Sequence, residues 1–117
     1  MAEFSGDTLT VRWENRGGGV VVTPMGDVDL TASPVLRQAL RQVQAGKPAR
    51  MVVDLAQVPY MDSSGVATLV EAMQIARKNS TRMALCGLTD RVRSIFEIAR
   101  LDTVFTIKPD AQAALEG

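Results

Sequence analysis

Four short apolar runs divide this chain, at residues 20–25, 50–55, 81–86 and 104–107, and each gap between them holds a segment whose apolar residues recur every three or four positions. Runs that short read as strands, and the longer periodic segments read as amphipathic helices. Parallel neighbours need a crossover of a dozen or more residues, usually a helix, whereas antiparallel ones are joined by a tight turn. The alternation therefore predicts an α/β fold: a mixed sheet of four to five strands, largely parallel inside, with about four helices.

One more strand precedes these. Residues 8–13 alternate, with Leu9, Val11 and Trp13 set against Thr8, Thr10 and Arg12, and ENRGGG at 14–19 reads as the turn of an N-terminal antiparallel hairpin. No GK[ST] follows those glycines, so they do not read as a phosphate-cradling loop. Pro24 predicts an edge or a bulge in the second strand. In the first helix Ser33 is the expected cap and Pro34 opens the first turn. Leu36, Ala39, Leu40 and Val43 face inward, Arg37, Arg41 and Gln44 face water, and Gly46 closes the segment. RMVVDL at 50–55 reads as an interior strand covered on both faces. The second helix runs from Ser63 to about Asn79 on a stripe of Val66, Leu69, Val70, Met73 and Ala76. A third follows a capping Thr89, and residues 109–115 form a last one.

Composition narrows function chiefly by exclusion. Thirteen basic and thirteen acidic residues cancel, which removes the electrostatic footprint of a nucleic-acid binder. No apolar segment approaches the ~18–20 residues needed to cross a bilayer, and no basic stretch followed by an apolar one opens the chain. A cytoplasmic protein without direct membrane insertion is expected, with residues 1–117 as a single domain. The absence of histidine rules out a Ser-His-Asp or Cys-His arrangement and any imidazole ligand for a metal. Cys86, the one cysteine, lies within the apolar MALC and reads as a small buried hydrophobe. A serine nucleophile would need a neighbouring base, and the nearest following lysine, Lys78, is about four helical turns away. The chain reads as no enzyme, with no cofactor and no metal.

One corner is richer in polar groups than a helix start requires. After 52–61 come Asp62, Ser63, Ser64 and Gly65, and the second helix begins at once. Asp62 or Ser63 serves as a cap, worth about 1 kcal/mol, but a cap needs only one acceptor. Gly65 in a first turn weakens the helix by about 1 kcal/mol relative to alanine, and it leaves the backbone open to approach by another molecule. The corner also lies at the carboxyl end of an interior strand, where sites in open α/β sheets are built. A phosphoryl group on a serine here would bring about −1.5 to −2 units of charge to a helix amino terminus that favours anions. Capping alone and a phosphorylation switch both remain open on residue chemistry.

GDVDLTASPVLRQAL (26–40), VVDLAQVPYMDSSGVATLVEA (52–72) and LTDRVRSIFEIARLDTVFTI (88–107) together resemble the STAS domain of anti-sigma-factor antagonists, over residues 9–107. The resemblance implies a small sheet beside four helices and a binding role rather than catalysis. It implies a serine-kinase anti-sigma factor as partner, which captures the unphosphorylated antagonist, releases a sigma factor, then phosphorylates the antagonist and lets it go. A metal-dependent serine phosphatase restores the active form. The phosphorylated position matches Ser63, with Ser64 as fallback, and Asp62, Ser63, Ser64 and Gly65 form the partner-binding corner. Asp29 matches the acidic position that meets the kinase, although by itself it reads rather as a turn or capping residue. The family often has G-x-G where this chain has Gly65, Val66 and Ala67, and commonly glycine where it has Arg100. An interaction module for a transporter complex or a signalling scaffold, without kinase switching, is the alternative the family allows.

Overall fold

Gly17 and Gly18 sit at φ +51° and +87°, the pair of positive values that a two-residue type I′ turn demands. They join β2 (Thr10–Arg16) to β3 (Gly19–Met25) in a register running from Arg16↔Gly19 to Thr10↔Met25. The turn is shorter than the six residues expected, because Glu14, Asn15 and Arg16 continue the strand. In this computed structural model, which describes residues 2–116, a further strand β1 (Ala2–Ser5) pairs antiparallel with β2. Four residues are too few to show a period, but Phe4 packs on Trp13 with ring centroids 5.4 Å apart.

The sheet therefore has six strands, one more than expected, in the order β1 to β6, with β4 (Arg50–Asp54), β5 (Arg82–Cys86) and β6 (Thr106–Lys108). From β3 onward every pairing is parallel, as the alternation predicts. Pro24 marks no bulge but a local edge near the end of β3: the strand is interior to the sheet, yet its pairing with β4 ends at Val22↔Val53, two residues before the proline, which pairs only with Val11 of β2.

Successive crossovers that step the same way across a sheet place their helices on one face. Accordingly α1 (Ser33–Ala45), α2 (Ser63–Lys78) and α3 (Asp90–Ile98) enclose the main core with Val22, Met51, Val53 and Leu85. The alternate residues Val21, Val52, Ala84 and Cys86 point to the other face, where α4 (Ala111–Glu116) covers them with Ala111 and Ala114. β4 is buried on both faces, as expected.

Two expectations for α1 fail. Ser33 is not the cap: it is the first helical residue and buried, and Ala32 precedes it without a side-chain bond. Asp29 captures those amides instead. Nor does Gln44 face water. It is buried against α2, donating from Nε2 to the Ala72 carbonyl at 2.8 Å, while its Oε1 has no partner among the described residues. β6 starts two residues later than predicted, leaving Val104 exposed while Phe105 packs edge-on to Phe96. The end of α3 explains the shift. Arg100, at φ +58°, donates to Glu97 O at 3.0 Å and Leu101 N donates to Phe96 O at 2.8 Å. This is the left-handed closure a glycine usually makes.

Candidate functional site

The corner between β4 and α2 is built around one carboxylate. Asp62 is the cap of α2, and its Oδ1 accepts from Ser64 N at 2.9 Å, Gly65 N at 3.4 Å and the Ser64 hydroxyl at 2.5 Å. The Ser64 hydroxyl does most to hold the Asp62 carboxyl below the usual carboxylate range. Partial burial opposes it, and the backbone N–H groups of Ser64, Gly65 and Leu30 add to it. Asp62 is therefore an anion at neutral pH.

That geometry separates the two serines. Ser64 is half-buried, its hydroxyl committed to Asp62 and its carbonyl accepting from Thr68 Oγ1 at 2.9 Å. Ser63, the first helical residue, is exposed and its hydroxyl makes no hydrogen bond among the described residues.

Asp29 lies 33 positions earlier, yet the backbone brings its loop to the same place. Val28 and Met61 form an isolated parallel bridge, with Val28 N donating to Tyr60 O at 2.9 Å and Asp62 N to Val28 O at 3.1 Å. Asp29 then closes its own turn. Its Oδ1 accepts from Thr31 Oγ1 at 2.9 Å and Ala32 N at 3.0 Å, and its carbonyl accepts from Ser33 N at 2.8 Å. The turn reading of Asp29 is thus correct as far as Oδ1 goes, and Oδ2 makes no bond among the described residues.

Gly65 works differently from the open approach expected of it. It is buried, and a methyl group there would stand 2.6 Å from Met61 Cγ and 2.8 Å from Val28 Cγ1. Glycine is required because the bridged loops close directly on α2.

Sequence reasoning missed two neighbours. Leu30, at the tip of the Asp29 turn, is 77% exposed, and only its apolar character between Asp29 and Thr31 hinted at it. Arg91, at the start of α3, stands 5.3 Å from the centroid of the Tyr60 ring, within cation–π range. The spacing of 31 residues concealed that pair. Among the described residues no group of three or more Cys, Asp or Glu side chains is placed to hold a metal ion, and no helix is long and apolar enough to cross a membrane. Cys86 is buried, and burial first, then the Asp54 and Asp110 charges, push its thiol up to about 12. It stays protonated and unreactive at neutral pH.

The STAS domain model matches residues 10–114. An anti-sigma-B factor antagonist of Listeria monocytogenes is 34% identical over 83 residues, covering 71% of this chain and 73% of that one. Its counterpart in Bacillus subtilis is 27% identical over 97 residues, 83% of this chain and 88% of the other. Among solved structures, an anti-sigma factor antagonist from Mycobacterium paratuberculosis superposes with a TM-score of 0.87 at 27% identity, over 96% of this chain and 95% of its own.

Proposed function

The chain belongs to the STAS domain family, and from that premise we propose that it is an anti-sigma-factor antagonist that works by partner switching. Unphosphorylated, it docks through the Asp62–Gly65 corner and the Asp29 loop on a serine kinase that otherwise holds a sigma factor. Docking frees the sigma factor. The kinase then transfers the γ-phosphoryl group of ATP to the Ser63 oxygen: the new O–P bond forms there, ADP leaves, and the hydroxyl proton passes to a base of the kinase. The protein is the substrate of this transfer, not its catalyst.

The observation that carries this reading is the difference between the adjacent hydroxyls. Ser64 Oγ is spent on Asp62 at 2.5 Å, whereas Ser63 Oγ is exposed and free to meet a nucleotide. Release follows from charge. A kinase presents the phosphates of its nucleotide and a proton-accepting carboxylate to the acceptor oxygen. Once Ser63 carries about −1.5 to −2 units, those same groups face an anion instead of a hydroxyl. The fold keeps its shape, because the amino terminus of α2 favours negative charge. A metal-dependent serine phosphatase resets the cycle.

Incubation with the serine kinase of the same cell and ATP, followed by peptide mass spectrometry, tests this. Phosphate on Ser63, and none in Ser63→Ala with an unchanged far-UV spectrum, is expected. Phosphate only on Ser5, Ser33, Ser64, Ser80 or Ser94 rejects the assignment.

A further inference from the structure

A single exposed leucine says little about function, because every folded surface contains apolar atoms. Leu30 differs in what holds it and what surrounds it. Its backbone lies inside the hydrogen-bonded turn that Asp29 closes onto Thr31, Ala32 and Ser33. The same loop is tied to the residue immediately before Ser63, Asp62 N donating to Val28 O at 3.1 Å. Val28, two positions earlier, is locked to Met61 by the parallel bridge. Leu30 is therefore presented on a backbone already ordered, which lowers the entropy that association must overcome.

The two loops themselves carry a sign, with Arg91 of α3 standing over Tyr60 at one side of them. Residues 26–33 and 55–68, which make up the two bridged loops and the first turns of α2, contain Asp27, Asp29 and Asp62 and no lysine or arginine. Asp27 is exposed and Asp29 partly so. Ile98 offers the instructive contrast. It is 85% exposed, but it ends α3, roughly 13 Å along the helix from the Thr89 cap, and the exposed charges beside it in sequence are mixed, Glu97 and Asp102 with Arg100.

We propose that Leu30 is the apolar anchor of the docking surface: it inserts into an apolar pocket on the kinase whose rim carries basic side chains that meet Asp27 and Asp29. This rests on the partner-switching reading above. Buried anchors of this kind, ringed by polar contacts, dominate interface energetics, and matched rim charges chiefly set encounter rate and specificity. The anchor lies beside the phosphoacceptor rather than on it, so it selects the partner while Ser63 receives the phosphoryl group.

The test is titration of the ADP-loaded serine kinase with the full-length wild type, Leu30→Ala, Asp29→Asn and Ile98→Ala, in low and high salt. Leu30→Ala is expected to raise Kd by about 10-fold or more with an unchanged melting temperature, and Ile98→Ala to leave Kd within about twofold. Asp29→Asn is expected to flatten the salt dependence. Wild-type binding with Leu30→Ala equally tight overturns the anchor while leaving the partner-switching reading intact. Wild-type affinity indifferent to salt overturns the basic rim. Failure of the wild type itself to bind the kinase overturns the partner-switching reading and the anchor with it.

Discussion

Two strand-to-helix corners stand side by side in this molecule and are built to different specifications. The β5–α3 corner is capped by Thr89, whose hydroxyl accepts from Val92 N at 3.3 Å and reaches Val58 O at 3.5 Å. Its single hydroxyl is fully employed, and the third helical residue, Val92, is buried in the core. The β4–α2 corner is capped by Asp62, yet it carries two further hydroxyls, one of them unused. Its third helical residue is Gly65, crowded by Met61 and Val28. The β5–α3 corner needs only to start a helix. The β4–α2 corner starts a helix, clasps a loop 33 residues away and still leaves Ser63 free. Surplus polar capacity beyond the requirement of a cap is what sets the β4–α2 corner apart.

The most damaging way to erase this difference is to give the β4–α2 corner the valine of the β5–α3 corner. Gly65→Val has no room for its side chain and is expected to cost about 1–3 kcal/mol, seen as a lower urea midpoint with an unchanged slope. A full wild-type midpoint would mean that the bridged loops are not closed on α2. Next in size, Asp62→Ala is expected to cost about 1–2 kcal/mol against about 1 for Thr89→Ala, because Asp62 accepts from two backbone amides and the Ser64 hydroxyl. Equal losses would reduce Asp62 to an ordinary cap.

The same carboxylate gives a pH signature. Its folded pKa lies below its unfolded one, so the stabilisation is present at neutral pH. It is lost as pH falls through the folded value, below about pH 4. Asp62→Asn should flatten that acid limb of a pH-dependent melting curve, and an unchanged limb would assign the acid sensitivity elsewhere. The smallest effect is the most diagnostic. Ser63→Ala should change stability by less than about 0.5 kcal/mol, since no internal bond is lost. A loss as large as that of Thr89→Ala would make Ser63 a structural hydroxyl and remove the contrast between the corners.

Much of this was legible along the chain. The two-residue and 3.6-residue periods located every strand and helix but β1, and DSSG marked the capped start of α2 because capping is a transaction among adjacent residues. Position within an element was harder. Gln44 reads as polar and therefore outward, but its amide finds the Ala72 carbonyl of a neighbouring helix. Ser33 looks like a cap, but Asp29 takes the amides first.

Local chemistry thus determined the element types, the caps at Asp62 and Thr89, and the likeness to the STAS domain family, since each depends on residues a few positions apart. Tertiary structure alone decided which serine is free, why residue 65 has no side chain, and that Asp29 and Leu30 stand at the same corner. Those outcomes hang on the Val28↔Met61 bridge, a contact between distant segments whose register is set by the packing of the whole sheet and not by either segment.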